Sequence, residues 1–267
     1  MARPDRRAAR SQPGSTQLRN GRPRRLADAT WTDLAGREPL LLAVPVGSCE
    51  QHGPHLPLDT DTRIATALAD QLARDLEVVV TAPPIGIGAS GEHAAFPGTL
   101  SIGTDALISS LVELARSALP TVSGDTGPFR AVLFVNGHGG NTAAIATAVS
   151  QLRSESRRVA AWHPRADGGD LHAGTTETSL MLHLNPELVR TEALEAGATE
   201  RLEEIRDELT SGRLALVSPN GVLGDPRTAS AERGERLFTE MNGTLLAAAE
   251  QLLSREIAGH HRVDHDS

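Results

Sequence analysis

The stretch Leu40-Leu-Leu-Ala-Val-Pro-Val46, continued by Gly47-Ser-Cys-Glu-Gln-His-Gly-Pro-His-Leu-Pro-Leu-Asp-Thr60 and Asp61-Thr-Arg-Ile-Ala-Thr-Ala-Leu-Ala-Asp-Gln-Leu-Ala-Arg-Asp-Leu76, decides the fold. Its first part is apolar without alternation, as a strand buried on both faces of a parallel sheet should be. Its last part is amphipathic and reads as a helix over 62–76. The alternation recurs downstream. Strands are expected at 40–46, 78–82, 131–135 and 159–162, and helices at 62–76, 105–119, 142–154, 176–183, 198–210 and 229–253. Short apolar runs alternating with longer amphipathic ones describe an α/β domain, a mostly parallel sheet flanked by helices.

Two connections, 47–60 and 83–103, are too long to be mere links in a compact domain. Each follows a strand. Ligands of open α/β sheets bind outside the carboxyl ends of strands, so both loops should meet the turn at 136–141 in one crevice.

Composition narrows the possible functions. The 267 residues, 39% of them hydrophobic, can build one sizeable core, so a single catalytic domain is expected over 30–257. A net charge of −8 argues against a nucleic-acid-binding body and leaves a small molecule or peptide as the partner. One cysteine permits no intrachain disulfide, and no apolar run is long enough to span a bilayer or resembles a signal sequence. A soluble cytoplasmic protein is the expectation. Residues 1–29, rich in arginine, proline, serine and glycine, read as a disordered leader, and 258–267 as a polar tail. An RNA or membrane tether, or a transit peptide, is the functional alternative for the leader.

The chemistry concentrates in three segments. In Glu50-Gln-His52, extended backbone would put a carboxylate and an imidazole on one side, and Asp61 follows at a helix start, where it could equally be a cap. Asn136-Gly-His138-Gly-Gly-Asn141 follows an apolar strand, and its glycines would let the chain turn sharply and bring His138 to the strand mouth. A phosphate-cradling loop is the competing reading, without the ending of a P-loop or the spacing of a dinucleotide fingerprint. His172-Ala-Gly-Thr-Thr-Glu177 enters a helix, where an early acid is also routine. Taken together, Glu50, His52, Asp61, His138 and Glu177 form a mixed oxygen and nitrogen set suited to two divalent cations. Asp61 is central in the set and is the candidate bridge, with Glu50 and His138 on one ion and His52 and Glu177 on the other.

The run Glu50-Gln-His-Gly-Pro-His-Leu-Pro-Leu-Asp-Thr-Asp61, Phe96-Pro-Gly-Thr99, Asn136-Gly-His-Gly-Gly-Asn141 and His172-Ala-Gly-Thr-Thr-Glu-Thr-Ser179 together resemble the creatininase family, over residues 40 to 240 or so. The resemblance implies a three-layer α/β/α fold, a dinuclear centre of Zn with Fe(II) or Mn, and a homo-oligomer, usually a hexamer. It places Glu50, His52, Asp61 and His138 on metal ligands and His172 on the catalytic acid/base. Gly139-Gly140 departs from creatinine hydrolases, which carry an aromatic residue and an acid there; that argues against creatinine and shifts metal binding onto Glu177. Val44-Pro-Val-Gly-Ser48 and Asn220-Gly-Val-Leu-Gly-Asp-Pro-Arg-Thr-Ala-Ser230 are most similar to the branch of peptidases found in mycofactocin systems. That implies a modified precursor peptide as substrate, cleaved to release its C-terminal Val-Tyr-derived unit.

The implied chemistry is metal-assisted amide hydrolysis, in which two cations activate water and polarise the carbonyl while His172 protonates the leaving nitrogen. Rival readings are a cyclic-amide or formamide hydrolase with the same centre, a non-catalytic metal- or nucleotide-binding module, and an RNA-associated protein using the leader. Cys49 should point away from Glu50 and His52 as an inert packed thiol. Glu92 and His93, in the second loop, either touch substrate or pair within the loop.

Overall fold

The computed structural model describes residues 23–36, 38, 40–120, 127–164 and 170–254. Residues 1–22, which hold most of the arginine-rich leader, and the tail at 258–267 lie outside the described residues.

Four strands, β1 (Leu40–Val46), β2 (Val79–Thr81), β3 (Phe129–Asn136) and β4 (Val159–Trp162), form one sheet in the order β2-β1-β3-β4. All three pairings are parallel. The expected strands at 40–46 and 159–162 coincide with β1 and β4; β3 is longer than expected and β2 shorter.

The helices are α1 (Trp31–Leu34), α2 (Thr60–Asp75), α3 (Thr104–Ala118), α4 (Thr142–Ser154), α5 (Thr175–Leu184), α6 (Leu202–Thr210), α7 (Leu214–Val217) and α8 (Ala231–Ser254). Because successive strand residues face opposite sides, β1 divides its apolar run between two cores. Leu40, Leu42, Val44 and Val46 join Val132 and Phe134 of β3 against Leu107, Leu111 and Ile145 of α3 and α4. Leu41 and Ala43 join Leu133 and Val135 against Leu68 and Leu72 of α2, Met181 of α5 and Leu245 of α8. The three layers are α/β/α. Burial on both faces is why β1 and β3 read as unbroken apolar runs.

Two expectations about boundaries change. α6 begins at Leu202 instead of 198, because the Gly197 and Ala198 amides donate to the Gly224 and Val222 carbonyls at 3.0 Å each, which holds that segment extended. Residues 23–29, read as the end of the leader, dock on the domain. The Thr81 amide donates to the Arg24 carbonyl (2.8 Å), Arg25 pairs with the buried Asp70, and Leu26 packs on the first core.

The carboxyl ends of β1 and β3 gather the two long loops as expected. The Gly47 amide donates to Ile85 and the Gly137 amide to Val46, at 2.9 and 2.8 Å. Buried Asn141 then ties all three segments, donating to the Gly47 carbonyl and accepting from the Ala89 amide, both at 2.9 Å. Among the described residues no helix is long and apolar enough to cross a membrane.

Leu133 is fully buried between the sheet and α2, whereas Leu216 is 77% exposed. Leu133→Ala is expected to lower unfolding stability by about 2–5 kcal/mol through cavity formation, and Leu216→Ala to change it by no more than roughly 0.5. Urea denaturation of the two variants beside the parent protein measures both.

Candidate metal centre

The crevice at the strand ends is built from residues that the fold removes from water. Glu50, His52 and Asp61 are at most 1% exposed, and His138 and His172 6% and 7%. Asp61 is the second residue of α2, yet its carboxylate does not cap the helix. It accepts from Ser48 Oγ (2.8 Å) and lies between two imidazoles, with Oδ1 3.0 Å from His52 Nε2 and Oδ2 3.2 Å from His138 Nδ1. Asp59 makes no side-chain cap either and pairs instead with Arg63.

Gly137 explains how α2 comes so close. A Cβ at that position would fall 2.4 Å from the Asp61 carbonyl oxygen, so only glycine lets the β3 end pass the α2 N-terminus. The sharp turn expected from the flanking glycines is not the reason. Gly137 and Gly139 both lie outside the left-handed region, and His138 itself is extended at φ −125°.

Glu50 stands at the middle of the cluster. Its Oε2 lies 3.2 Å from His138 Nε2, and its Oε1 lies 3.3 Å from His93 Nε2 and 3.7 Å from His172 Nδ1. None of these approaches has hydrogen-bond geometry, and both oxygens are buried without a hydrogen-bond partner. A fully buried carboxylate oriented on imidazole nitrogens, with no donor of its own, is the arrangement a cation would complete. Three overlapping sets have ligand atoms close enough to share an ion: Glu50, Asp61 and His138; His52, His172 and Glu177; and Glu50, His93 and His172.

The five ligand candidates and His172 are therefore brought together. Glu177 is the loosest of them, with Oε2 3.8 Å from His52 Nε2 while accepting the Ala173 amide at 2.6 Å, so it serves the helix start as well.

Hydrogen bonds set the tautomers, as assigned from the network. His52 gives its Nδ1 hydrogen to its neighbour's carbonyl (Glu50 O, 3.1 Å), which leaves Nε2 facing Asp61 and Glu177. His172 gives its Nε2 hydrogen to the Gln51 carbonyl (2.8 Å), which turns Nδ1 toward Glu50. Electrostatics separate the two rings. Burial opposes a charge on His52, but Asp61, Glu177 and Glu50 outweigh it and raise its pKa to about 10. Burial, with His52 and His93 nearby, pushes His172 well below the ordinary imidazole value. Burial would raise Asp61, yet His52 and His138 hold it well below the usual carboxylate range. Burial pushes Glu177 up to about 7 against the pull of His52.

Sequence reasoning left His93 open and passed over Gln51 and Asp170. Gln51 links the cluster: its amide nitrogen is 2.9 Å from His93 Nδ1 and donates to the Gly221 carbonyl at 2.9 Å. Asp170 caps α5 by accepting the Thr175 and Thr176 amides, the function that Glu177 would otherwise perform alone. The adjacent Glu92-His93 pair in an over-long loop was the one signal available. Cys49 is half-buried with its sulfur toward the Gly98 carbonyl. A cavity of about 790 Å³ opens over the cluster, walled by Glu92, His93, Gly139, Leu171, Arg206 and Leu223 among others.

Comparison with known proteins follows the same lines. The family profile described as creatininase, creatinine amidohydrolase, matches residues 27–249. A mycofactocin precursor peptide peptidase of Mycolicibacterium smegmatis is 50% identical over 225 residues, covering 82% of this chain and 87% of that protein. Among solved structures, one titled "Creatininase Mn" superposes with a TM-score of 0.71 at 23% identity, covering 88% of this chain and all of that one. A creatininase mutant of Zn-Zn type matches with a TM-score of 0.71 at 22% identity, with the same coverage of this chain. Sequence match, layered fold and the residues at the strand ends agree, and the chain belongs to the creatininase family.

Proposed function

We propose that this chain is a dinuclear metal-dependent amide hydrolase that cleaves the modified mycofactocin precursor peptide and releases its C-terminal Val-Tyr-derived unit. The observation that carries the metal reading is Glu50, whose buried oxygens face imidazoles with no hydrogen-bond donor. Glu50, Asp61 and His138 would hold one ion, and His52, Asp61 and Glu177 the other, with the two Asp61 oxygens directed to the two histidines. Zn with Fe(II) or Mn suits this donor set. A bound pair of such ions lowers the pKa of water and polarises a scissile carbonyl.

The residues of the chain do the rest. His172, kept neutral by its surroundings and anchored through Nε2, lines the cavity and carries a lone pair on Nδ1, the nitrogen on the Glu50 side of its ring. It takes the proton released when water adds to the carbonyl carbon and returns it to the amine nitrogen as the C–N bond breaks. Ser48 and Gln51 hold the acceptors and rings in place. The peptide reading is supported by the 50% identity to a precursor peptide peptidase and by the open cavity mouth, where nothing lies within 4 Å of a Cβ built on Gly139.

Metal analysis of the purified protein is expected to give about two ions per chain. Asp61→Ala should lose both together with turnover, and His172→Ala should keep both while losing on the order of 10²–10⁴-fold in rate. A fixed stoichiometry of one with full activity would falsify the dinuclear reading, and loss of metal from His172→Ala would make that ring a ligand.

Because metal-free His52 stays protonated up to about pH 10 and its Nε2 would be a ligand, loading at neutral pH has to expel that proton. Apparent affinity should therefore rise with pH through the neutral range. Titration calorimetry in two buffers of different ionisation enthalpy reads the proton release directly, and identical heats in both would contradict it.

Substrate choice is tested by incubating the enzyme with precursor peptide before and after its modification and reading the masses. Release of the C-terminal unit from the modified peptide alone is the expected result. An enzyme that leaves both peptides intact and opens creatinine or a formamide would overturn the peptidase assignment.

A further inference from the structure

Glu92 takes no part in the ligand set above, yet its carboxylate enters the cluster from the loop at 83–103. Its Oε1 lies 3.4 Å from His138 Nε2, on the edge of the ring opposite the nitrogen that faces Asp61. The Nε2 hydrogen has the Ala89 carbonyl at 3.2 Å and Ser90 Oγ at 3.5 Å as its other neighbours, both from the same loop, with Glu50 Oε2 at 3.2 Å. What lets Glu92 in is Gly140. A Cβ built there would fall 2.3 Å from Glu92 Oε1 and 2.4 Å from His138 Nε2, so the glycine clears the volume that the carboxylate occupies. Gly140 and Glu92 line the same part of the cavity wall.

We propose that Glu92 is a positioning residue of the metal centre: it braces His138 from the Nε2 edge so that Nδ1 stays directed at Asp61 and at the ion that Asp61 would hold. A histidine ligand whose far nitrogen is held by a carboxylate is fixed in orientation and made more basic, and loss of such a partner typically weakens metal binding 10- to 100-fold. Glu92 is suited to this. Its side chain is 24% exposed, so its removal should spare the fold, while the Ala89 carbonyl and Ser90 hydroxyl that would remain from that loop at Nε2 carry no charge to replace the carboxylate. The inference rests on the dinuclear reading, and it assigns the effect to one ion only, since His52 and Glu177 do not touch Glu92 in any recorded contact.

The test is competition for Zn²⁺ against a chromogenic chelator, with wild type, Glu92→Ala, Glu92→Gln and Asp61→Ala in parallel. For Glu92→Ala, one of the two sites is expected to weaken about 10- to 100-fold and the other to stay as in wild type. Glu92→Gln keeps an oxygen acceptor at the same place and should fall between. The melting temperature of the metal-free protein should be the same for wild type and both Glu92 variants. Two undiminished sites in Glu92→Ala, a Gln variant no better than Ala, or a lowered metal-free melting temperature would overturn the bracing role. Wild type that binds no more Zn²⁺ than Asp61→Ala would instead overturn the metal reading on which it rests.

Discussion

Two carboxylates, Glu50 and Asp61, are carried out of water at the mouth of the sheet, and the rest of the site follows from making that tolerable. An ionised group costs several kcal/mol to bury even after the protein relaxes, and the cost is met only by opposite charge in close geometry. In the metal-free chain that charge has to come from His52 and His138, which is why both imidazoles are driven toward protonation despite their burial. The same nitrogens are what a cation would require once deprotonated. The metal-free cluster is therefore held together by protons, and on the dinuclear reading cations would take their place.

That close geometry depends on rigid backbone around the cluster. Strands β1 and β3 end side by side, and Asn141 fastens both long loops to them through its single amide group. The strand geometry sets where Glu50 and His138 emerge, and the start of α2 brings Asp61 between the two histidines. Because β1 and β3 belong to both cores and α2 to one of them, small displacements at the site are resisted by the packing of the whole domain. A ligand set mounted on strand ends and one helix start suits a centre that must hold ions in fixed positions.

Much of this was legible in the chain. The apolar run at 40–46 gave a doubly buried strand because both of its faces are covered, and the amphipathic stretch after it gave a helix with one buried stripe. Glu50 and His52 could be picked out because they sit close together in an over-long loop, Asp61 because it follows them at a helix start, and His138 because glycines flank it. What escaped was everything fixed by contacts distant in sequence. Nothing in the sequence marks Gln51, whose partners are His93 and the Gly221 carbonyl. Asp170 is equally unmarked in the sequence and is the cap of α5. The start of α6 was misjudged for the same reason, since residues 197 and 198 give their amides to the Val222 segment. Periodicity reports how an element faces a core, and it carries no information about which loop side chain reaches which backbone carbonyl.

His172 shows how such a distant contact decides chemistry. Its backbone is clamped to Leu223 by two hydrogen bonds, 2.8 and 3.3 Å, and its ring is pinned through Nε2 to the Gln51 carbonyl. The ring cannot turn away from Glu50, and the nearby imidazoles and burial keep it neutral. A neutral, immobile imidazole with one free nitrogen can act as a ligand or as a proton carrier, and its ring belongs to two of the three groups of side chains close enough to share an ion. It lies at the cavity wall beside Leu171 and Leu223, where an occupant would contact it, whereas Glu50 lies deeper. An occupant that covers those leucines would exclude water from the ring and leave the reacting nitrogen as the nearest acceptor of its proton. Specificity and proton transfer would then depend on one segment, Asn220 to Gly224, which holds His172 and supplies part of the wall.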